Sequence, residues 1–404
     1  MRRNARSGGF TSPSNRAAVQ DDLRHKGDTS AMRVGIIAET LLERLALALG
    51  KIPEPIVEVF PPLVLARGIM AATRLGVFET LSAGPLPLGE LAATCQTDPR
   101  ATAALLATLA SDGYVREARG VWRLGPKAER WLRKGSPADL SAYLTYNYLQ
   151  WDWLGDLERF IQTGQPLAFH ERLSEADWRQ YERGMSVIAR LVLPEVVWRV
   201  ALPPNATTLL DVGGGHGLAA ARFCQRHPRL RATVLDLPAA LEAAPPLPSD
   251  LARAGERVTR QAGDALTADL GDAAWDVIYM ANLLHHFDAT QIQELAARVA
   301  RGLRPGGLWV IQDGVRAGAG ERRRRSERMS AAIGDLYFAL TSASGFWSFA
   351  EMAGWQASAG LTPRRPIRLL TAPGQGLQIG ARPGIRPGRP RRQEASQEAA
   401  NERE

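Results

Sequence analysis

The pattern of apolar and polar residues changes character near residue 200. Before that point apolar residues recur mostly at helical spacing, and after it short apolar runs alternate with helical ones. The strand-like runs are Thr207–Val212, Ala232–Leu235, Val258–Ala262, Asp276–Met280, Leu308–Gln312, Ile367–Leu370 and Leu377–Gly380. The helical runs among them are Leu218–Arg226, Ala289–Leu303, Ser326–Leu340 and Phe349–Ala359. This alternation predicts an α/β domain whose mostly parallel, seven-stranded sheet has helices on both faces.

The mainly helical first half contains one more specific pattern. Three short helical runs are followed by two strand-like runs around a turn at Arg119-Gly120. These runs are Leu75–Leu81, Leu88–Cys95, Arg100–Leu109, Gly113–Val115 and Val121–Leu124. The order is typical of a winged helix. The third helix offers one Arg and no Asn, Gln or Lys to read base edges, so we expect a structural or dimerising role and no nucleic-acid partner.

The domain limits follow from these patterns. We expect a helical and winged-helix domain over residues 33–200 and the α/β domain over residues 201–381. Residues 1–32 and 382–404 are polar, lack periodicity and are predicted to be disordered. The net charge of +8 concentrates in the same two ends, where seven Lys/Arg face three Asp in residues 1–33 and six Arg face four Glu in residues 382–404. Little excess charge remains for a nucleic-acid groove on the body.

The composition is that of an ordinary globular protein. The chain has 404 residues, of which 45% are hydrophobic and 23% charged, and its only cysteines are Cys95 and Cys224. Two distant cysteines and the lack of a secretory signal favour a reducing, cytoplasmic location. Residues 34–65 are apolar but broken by charges and prolines, so we predict no integral membrane segment. Burial of this stretch against a second copy, as a homodimer, is favoured over membrane association.

Polar side chains follow five of the predicted strands. Asp211, Asp236, Asp264 and Asp313 each come at or just after a strand end, and Asn282 and His285 follow another strand. A glycine loop, Gly213 to Gly217, joins the first strand to a helix. Because parallel strands end at one edge of a sheet, and glycines let a backbone approach a ligand, the sequence predicts a nucleoside-binding site at this edge.

Four motifs together resemble a known family. They are Asp-Val-Gly-Gly-Gly-His-Gly at 211–217, Leu-Asp-Leu-Pro at 235–238, Gly-Asp at 263–264 and Leu-Arg-Pro-Gly-Gly at 303–307. The chain resembles class I S-adenosylmethionine-dependent methyltransferases over about residues 56–381. Within that class it is similar to the small-molecule O-methyltransferases of the plant caffeate type and their bacterial relatives. The resemblance implies a Rossmann-like catalytic domain, a winged-helix dimerisation domain, S-adenosylmethionine as cofactor and a small, aromatic or polyene acceptor.

The resemblance also implies roles for single residues. Asp211 would belong to the cofactor site, Gly213 and Gly215 would line the methionine part of the cofactor, Asp236 would bind the ribose hydroxyls, and Leu237, Asp264 and Ala265 would contact the adenine. His285 falls where the family keeps its catalytic histidine, and Asp313 where it keeps an acid that orients this histidine. Two positions depart from the family. Gly345-Phe346-Trp347 stands where a second supporting acid is usual, and His286 replaces the usual Asp.

The chemistry of the residues agrees with these roles. A sulfonium already activates the methyl group, so the protein must align a nucleophile and take its proton. A neutral imidazole can assist a hydroxyl with a pKa of about 10, and an acid on its other nitrogen fixes the tautomer. Asn282, His285 and His286 supply no carboxylates at this strand end, so we expect no catalytic metal.

Several alternatives remain open at this point. The loop from Gly215 also fits a loose nicotinamide-binding pattern, and a winged-helix regulator could keep the cofactor fold as a sensor. Methyl transfer to a carbon of a pigment or tetrapyrrole ring needs the same residues as transfer to oxygen. Five aromatic residues between Tyr143 and Trp153 are open both to core packing and to the acceptor pocket.

Overall fold

The computed structural model describes residues 36–318, 320–321 and 325–384, with Ser326 described by its backbone alone. The predicted disordered tails lie outside the described residues, except that the second was predicted to begin at Arg382. Arg382 is in fact held at the end of the sheet, since its backbone N–H donates to the Gly307 carbonyl at 2.8 Å and its carbonyl accepts from Gly306 N–H at 3.0 Å.

Helices dominate the first half of the chain, as predicted. They are α1 (Leu41–Ala48), α2 (Glu54–Arg74), α3 (Val77–Ala83), α4 (Leu88–Thr94), α5 (Pro99–Ser111), α6 (Pro126–Trp131), α7 (Ser141–Leu154), α8 (Leu157–Thr163) and α9 (Glu175–Arg199). The predicted helix at Leu75–Leu81 begins two residues later because Gly76, in the left-handed region at φ 77°, separates α2 from α3. Asp98 begins α5 by accepting the Ala101 N–H, as its cap position favours.

A small three-stranded sheet completes the winged-helix unit. Its strands are β1 (Leu86–Pro87), β2 (Val115–Ala118) and β3 (Val121–Leu124), in the order β1-β3-β2. The hairpin was predicted, whereas β1 has only two residues and too short a pattern to be seen. Helices α3, α4 and α5 close over this sheet around a core that includes Phe78, Leu91 and Leu106.

Helices α1 and α2 carry an unusual amount of exposed apolar surface. Ten large apolar side chains on or beside them are exposed: Ile37, Leu41, Leu42, Leu45, Leu49, Ile56, Val59, Phe60, Leu63 and Val64. Helix α2 is long and apolar enough to cross a bilayer by length and hydropathy. It also contains Pro61 and Pro62, and it packs against α3, α5 and α7. We name the ten residues the N-terminal apolar face.

The second half of the chain forms the α/β domain. Its strands are β4 (Thr208–Val212), β5 (Arg231–Asp236), β6 (Val258–Ala262), β7 (Trp275–Ala281), β8 (Leu303–Gly314), β9 (Thr362–Pro363), β10 (Ile367–Arg368) and β11 (Gln375–Ala381). The main path of the sheet has seven strands, in the order β10-β11-β8-β7-β4-β5-β6, and the short β9 adds to β11. Strands β4 to β8 pair in parallel, and β11 runs antiparallel to β8.

Helices cover both faces of this sheet. They are α10 (Leu218–Arg226), α11 (Pro238–Ala243), α12 (Ala252–Gly255), α13 (Ala289–Gly302), α14 (Arg325–Ser342) and α15 (Phe349–Ser358). One core joins α10 and α12 to the sheet through Phe223 and Tyr279, and the other joins α13 and α15 through Ile292 and Trp309. The carboxyl half of α9 packs in the first core, so this helix connects the helical first half of the chain to the sheet.

Candidate active site

The carboxyl ends of β4, β5 and β7 border a single cavity, and α9 forms its opposite wall. Seven residues predicted to hold a cofactor line this cavity together: Asp211, Gly213, Gly215, Asp236, Leu237, Asp264 and Ala265. They come from three separate stretches of sequence, and the parallel order of the strands brings them to one edge.

The glycine loop needs its glycines for close packing. Gly213 and Gly215 have φ values of 73° and 38°, in the left-handed region that favours glycine. A Cβ on Gly214 would lie 2.6 Å from the Asp211 carboxyl, and a Cβ on Gly215 would lie 2.6 Å from the Glu182 carboxylate. Any side chain here would therefore displace an acid.

Asp211, near the end of β4, supports the glycine loop and the helix that follows it. It is buried and accepts the Ala220 N–H at 3.2 Å, so it fixes the first turn of α10. Burial raises the pKa of Asp211 to about 7, and the nearby Asp236 charge adds to the effect.

Asp236 fixes the loop from the next strand. Its two oxygens accept the N–H groups of Gly215 and Leu237, each at 2.7 Å. Burial raises its pKa despite these hydrogen bonds. Each carboxylate oxygen has a further lone pair, so Asp236 can still accept from the two hydroxyls of a ribose.

Hydrogen bonds fix the loop of Asp264 and Ala265, which is predicted to contact the adenine. Asp264 is exposed and closes a turn by accepting the Leu266 N–H at 2.8 Å. Arg298, on α13, donates to the carbonyls of Ala265 at 3.0 Å and Ala268 at 2.8 Å. This bidentate contact fixes the loop that presents Asp264 and Ala265 to the cavity.

His285 and Asp313 meet beside the cavity, as their predicted positions require. His285 lies in a short 3-10 turn after β7, and Asp313 lies near the end of β8. The His285 Nδ1 and Asp313 Oδ1 atoms are 2.5 Å apart, and both side chains are buried. Asp313 Oδ1 also accepts the Gly314 N–H at 2.7 Å. A carboxylate accepts only, so this contact keeps hydrogen on Nδ1 and leaves the Nε2 lone pair free to take a proton.

Aromatic rings enclose this histidine. The Phe338 ring lies 3.9 Å from the His285 ring between centroids, and the Phe346 ring lies 6.0 Å away. A Cβ on Gly314 or Gly334 would come within 2.1 Å of the Phe346 ring, so both glycines make room for it. Phe346 therefore packs in a fixed place near His285.

His286, His170 and neighbouring aromatic residues form the adjoining part of the cavity. His286 lines the cavity, and its Nδ1 lies 2.7 Å from the Ser342 hydroxyl. His170 lines it too, with ring centroids 4.8 Å from His286 and 5.6 Å from Trp178, on which it stacks. Burial and neighbouring histidines lower the pKa of His170 to about 4 and that of His286 well below its usual value. Both rings are therefore neutral near pH 7.

Helix α9 supplies the wall that sequence reasoning missed. Trp178, Tyr181, Glu182 and Met185 line the cavity at the i, i+3, i+4 and i+7 positions of this helix. That spacing is a helical stripe visible in the sequence, but a stripe of this kind usually signals core packing. Only the contact of α9 with the glycine loop shows that this stripe faces the cavity.

The aromatic residues between Tyr143 and Trp153 divide into two groups. The Tyr146 ring packs against Tyr181, and the Trp153 ring packs against Phe169, so these two support the cavity wall from behind. Tyr148 and Trp151 instead stack with Arg67 on α2. Part of the cluster therefore supports the cavity and part fastens α7 to α2.

Comparison with known proteins identifies the family. Residues 160–355 match the O-methyltransferase domain family, and residues 63–134 match the O-methyltransferase dimerisation domain. The acetylserotonin O-methyltransferase of Mus musculus is 30% identical over 325 residues, which cover 70% of this chain and 82% of the mouse protein. The chain belongs to the O-methyltransferase family.

Two further relatives agree. The tetracenomycin polyketide synthesis 8-O-methyl transferase of Streptomyces glaucescens is 29% identical over 79% of this chain and 93% of its own length. The crystal structure of human N-acetylserotonin methyltransferase in complex with S-adenosylmethionine shares the fold, with a TM-score of 0.68 and 19% identity over 86% of this chain and 99% of the human one.

These matches decide between the alternatives left open by the sequence. The protein is an S-adenosylmethionine-dependent O-methyltransferase of the small-molecule family, not a nicotinamide-dependent oxidoreductase or a winged-helix regulator. The winged-helix unit corresponds to the dimerisation domain. The cavity fits the cofactor, because Asp236 at the end of β5 can accept hydroxyl groups and the glycine loop beside it leaves space for a ligand.

Proposed function

We propose that this O-methyltransferase transfers a methyl group to a hydroxyl of a small aromatic or polyene metabolite, with His285 as the general base. The observation that carries the proposal is the 2.5 Å contact between His285 Nδ1 and Asp313 Oδ1 next to the cofactor cavity. When bound, the cofactor supplies an electrophilic methyl group. His285 Nε2 would accept the hydroxyl proton, and Asp313 would stabilise the imidazolium that forms.

The acceptor class is inferred from the cavity wall. Trp178, Tyr181 and Phe287 offer ring faces, and His170 and His286 offer neutral imidazoles. Such a surface suits a flat, uncharged molecule with few polar groups. The mouse relative is an acetylserotonin O-methyltransferase and the Streptomyces relative an 8-O-methyl transferase of tetracenomycin polyketide synthesis, which supports a ring-bearing acceptor.

The cofactor would be held by the residues around the glycine loop. Gly213 and Gly215 would border its methionine part, with Asp211 bracing the loop. Asp236 would accept the ribose hydroxyls. Leu237, Asp264 and Ala265 would contact the adenine. We also propose that the enzyme works as a homodimer in the cytoplasm, with the N-terminal apolar face as its contact surface.

Methyl transfer from labelled cofactor tests the acceptor class. Phenols, fused-ring phenols and polyene alcohols are incubated with the enzyme, and product spectra locate the new methyl group. We expect an O-methyl product from at least one of these sets. Transfer only to ring carbon, or only to amines or acids, would contradict the proposal.

Variants of His285 test the base. We expect His285→Ala to lower kcat by roughly 10²–10⁴ while S-adenosylhomocysteine affinity stays within threefold, because the imidazole acts on the acceptor proton. Asp313→Asn should lower kcat less, since the imidazole remains but its tautomer is no longer enforced. His227→Ala, far from the cavity, is the matched control and should keep full activity. If His285→Ala turned over like the control, proton loss would not pass through this side chain.

A further inference from the structure

Glu182 is a buried carboxylate in the cofactor cavity that the assignments above leave unused. It lies on α9, is only 4% exposed, and lines the cavity opposite the glycine loop. Its Oε2 atom is fully buried and has no hydrogen-bond partner among the described residues. Both carboxylate oxygens lie within 2.7 Å of the point where a side chain of Gly215 would begin. The group is therefore aimed at the loop across which a ligand must lie.

The surroundings of Glu182 lack a compensating charge. Asp236 faces it from β5 and repels it, and the loop residue His216 is neutral because burial lowers its pKa to about 4. Arg260 on β6 attracts it from a distance but directs its own N–H groups to the carbonyls of Leu241 and His216. No ion pair within 4.0 Å joins Glu182 to a cation in the described part of the chain. A buried acid that faces a second acid and has no ion-pair partner becomes ionised more readily when a positively charged ligand group binds beside it.

We propose that Glu182 binds the α-ammonium group of the methionine part of S-adenosylmethionine. The inference rests on the cofactor, and not on the role of His285. Of the cofactor's two cationic groups, the sulfonium has no N–H or O–H to donate, whereas the ammonium has three N–H donors, one of which can bind the unpartnered Oε2 atom of Glu182. A ribose hydroxyl could donate but would leave the charge uncompensated. Glu182 would then bind the ammonium group of the cofactor, and Asp236 would bind the ribose hydroxyls.

The protonation of Glu182 gives the proposal a distinctive signature. Burial and the Asp236 charge raise the pKa of Glu182 to about 8, so the cofactor-free enzyme holds a proton there at pH 7. An arriving ammonium favours the ionised form, so binding must release that proton. At pH 9 the group is already ionised and releases little. Asp211, Asp236 and Tyr181 face the same space, so the diagnostic quantity is the difference between the wild type and a Glu182 variant.

Calorimetry with three ligands tests the contact without turnover. The ligands are S-adenosylhomocysteine, its analogue without the amino group, 5′-S-(3-carboxypropyl)-5′-thioadenosine, and 5′-methylthioadenosine, which lacks the amino acid end. We expect Glu182→Gln to weaken S-adenosylhomocysteine binding by about 30-fold or more and to change the affinity of the other two less than threefold. The unchanged binding of 5′-methylthioadenosine also shows that the variant is folded. Glu175→Gln, an exposed position on the same helix, is the matched control and should bind all three as the wild type does.

Measurement in two buffers of different ionisation enthalpy counts the protons. Wild type should release about one proton more than Glu182→Gln on binding S-adenosylhomocysteine at pH 7, and the difference should vanish near pH 9. Glu182→Asp keeps the charge and should keep part of the release. Equal weakening of all three ligands, or no weakening of any, would overturn the proposal. These results are independent of whether His285→Ala affects turnover, so the failure of one proposal would not imply the failure of the other.

Discussion

Neutral imidazoles give the acceptor side of the cavity its chemical character. His170 and His286 lie among aromatic rings, and burial keeps them uncharged near pH 7. They can accept or donate one hydrogen bond each without bringing a charge near the proposed methyl-transfer site, so they would orient a neutral acceptor. His286 stands where the family resemblance leads one to expect an acid, and the sequence alone assigned it no role.

The buried state of His170 makes the enzyme sensitive to acid. Its pKa falls from about 6.5 in the unfolded chain to about 4 in the folded one, so its contribution to stability is present above pH 6.5 and is lost as the pH falls towards 4. At pH 5 this loss amounts to roughly 1–2 kcal/mol. His170→Phe keeps a ring in place and removes the titration. We therefore expect the unfolding free energy of His170→Phe, relative to wild type, to improve between pH 7.5 and pH 5 in denaturant titrations. An unchanged difference at the two pH values would contradict this account.

At the scale of elements, the segment between α14 and α15 lies against the turn that carries His285. Its Phe346 ring fills the space between Gly314 at the end of β8 and Gly334 on α14. The Phe346 backbone N–H donates to the Asp335 carboxylate at 2.7 Å, and the Trp347 indole N–H donates to the Leu284 carbonyl at 3.1 Å. These contacts fasten the segment to the turn that carries His285. The position of the histidine therefore depends on packing as well as on Asp313.

A methyl group added at Gly334 should disturb this packing. Gly334→Ala places its Cβ 2.1 Å from the Phe346 ring, so the ring or the helix must move. We expect a loss of about 1–3 kcal/mol in unfolding free energy and a lower kcat with little change in cofactor affinity. Gly354→Ala, in the exposed middle of α15 with no atom within 4 Å of the new Cβ, is the matched control and should be neutral or stabilising by up to about 1 kcal/mol. Combining Gly334→Ala with Phe346→Leu should restore part of the loss. A Gly334→Ala enzyme as stable and active as the control would show that the ring is free to move.

The sequence predicted the elements better than their contacts. Strands β4 to β8 and helices α10 and α13 lie within a few residues of their predicted positions, because their apolar patterns end at polar or glycine residues. The exception is the start of β8, which lies five residues before its predicted start. The two-residue strands β1 and β9 have no such periodicity. His170 and Glu182 could not be found in this way, since their role depends on where α9 and the segment before it pack against a loop 30 to 50 residues later. The contact between His285 and Asp313 could be predicted because the order of the parallel strands places their ends together.

At the scale of the whole molecule, the N-terminal apolar face is the main group of large apolar side chains left exposed in the described part of the chain. Leu41, Leu42 and Ile37 are each more than three-quarters exposed, and Val59 and Phe60 are nearly two-thirds exposed. Monomeric proteins rarely expose so many large apolar side chains together. The match to a dimerisation domain over residues 63–134 begins within the same helix, α2.

Charged substitutions on this face should separate the subunits. We expect Leu42→Glu combined with Val59→Glu to shift the protein from dimer to monomer at micromolar concentration, as measured by light scattering, because two buried carboxylates would face the partner. Leu370→Glu replaces an equally exposed apolar residue on the α/β domain and is the control. A wild-type monomer, or a double variant that remains dimeric, would place the contact elsewhere.

Helix α9 forms one continuous wall for both the cofactor and the acceptor parts of the cavity. Trp178 and Tyr181 face the His170 side, and Glu182, one residue further, faces the glycine loop. If the cofactor binds Glu182 as proposed, it would also fix the rings beside it, and the two sites would share a free energy of coupling. Coupling between two ligands is reciprocal and typically changes each affinity 5- to 150-fold. S-adenosylhomocysteine should therefore tighten the binding of an acceptor by the same factor by which the acceptor tightens S-adenosylhomocysteine, and the enzyme should fill its two sites in a preferred order.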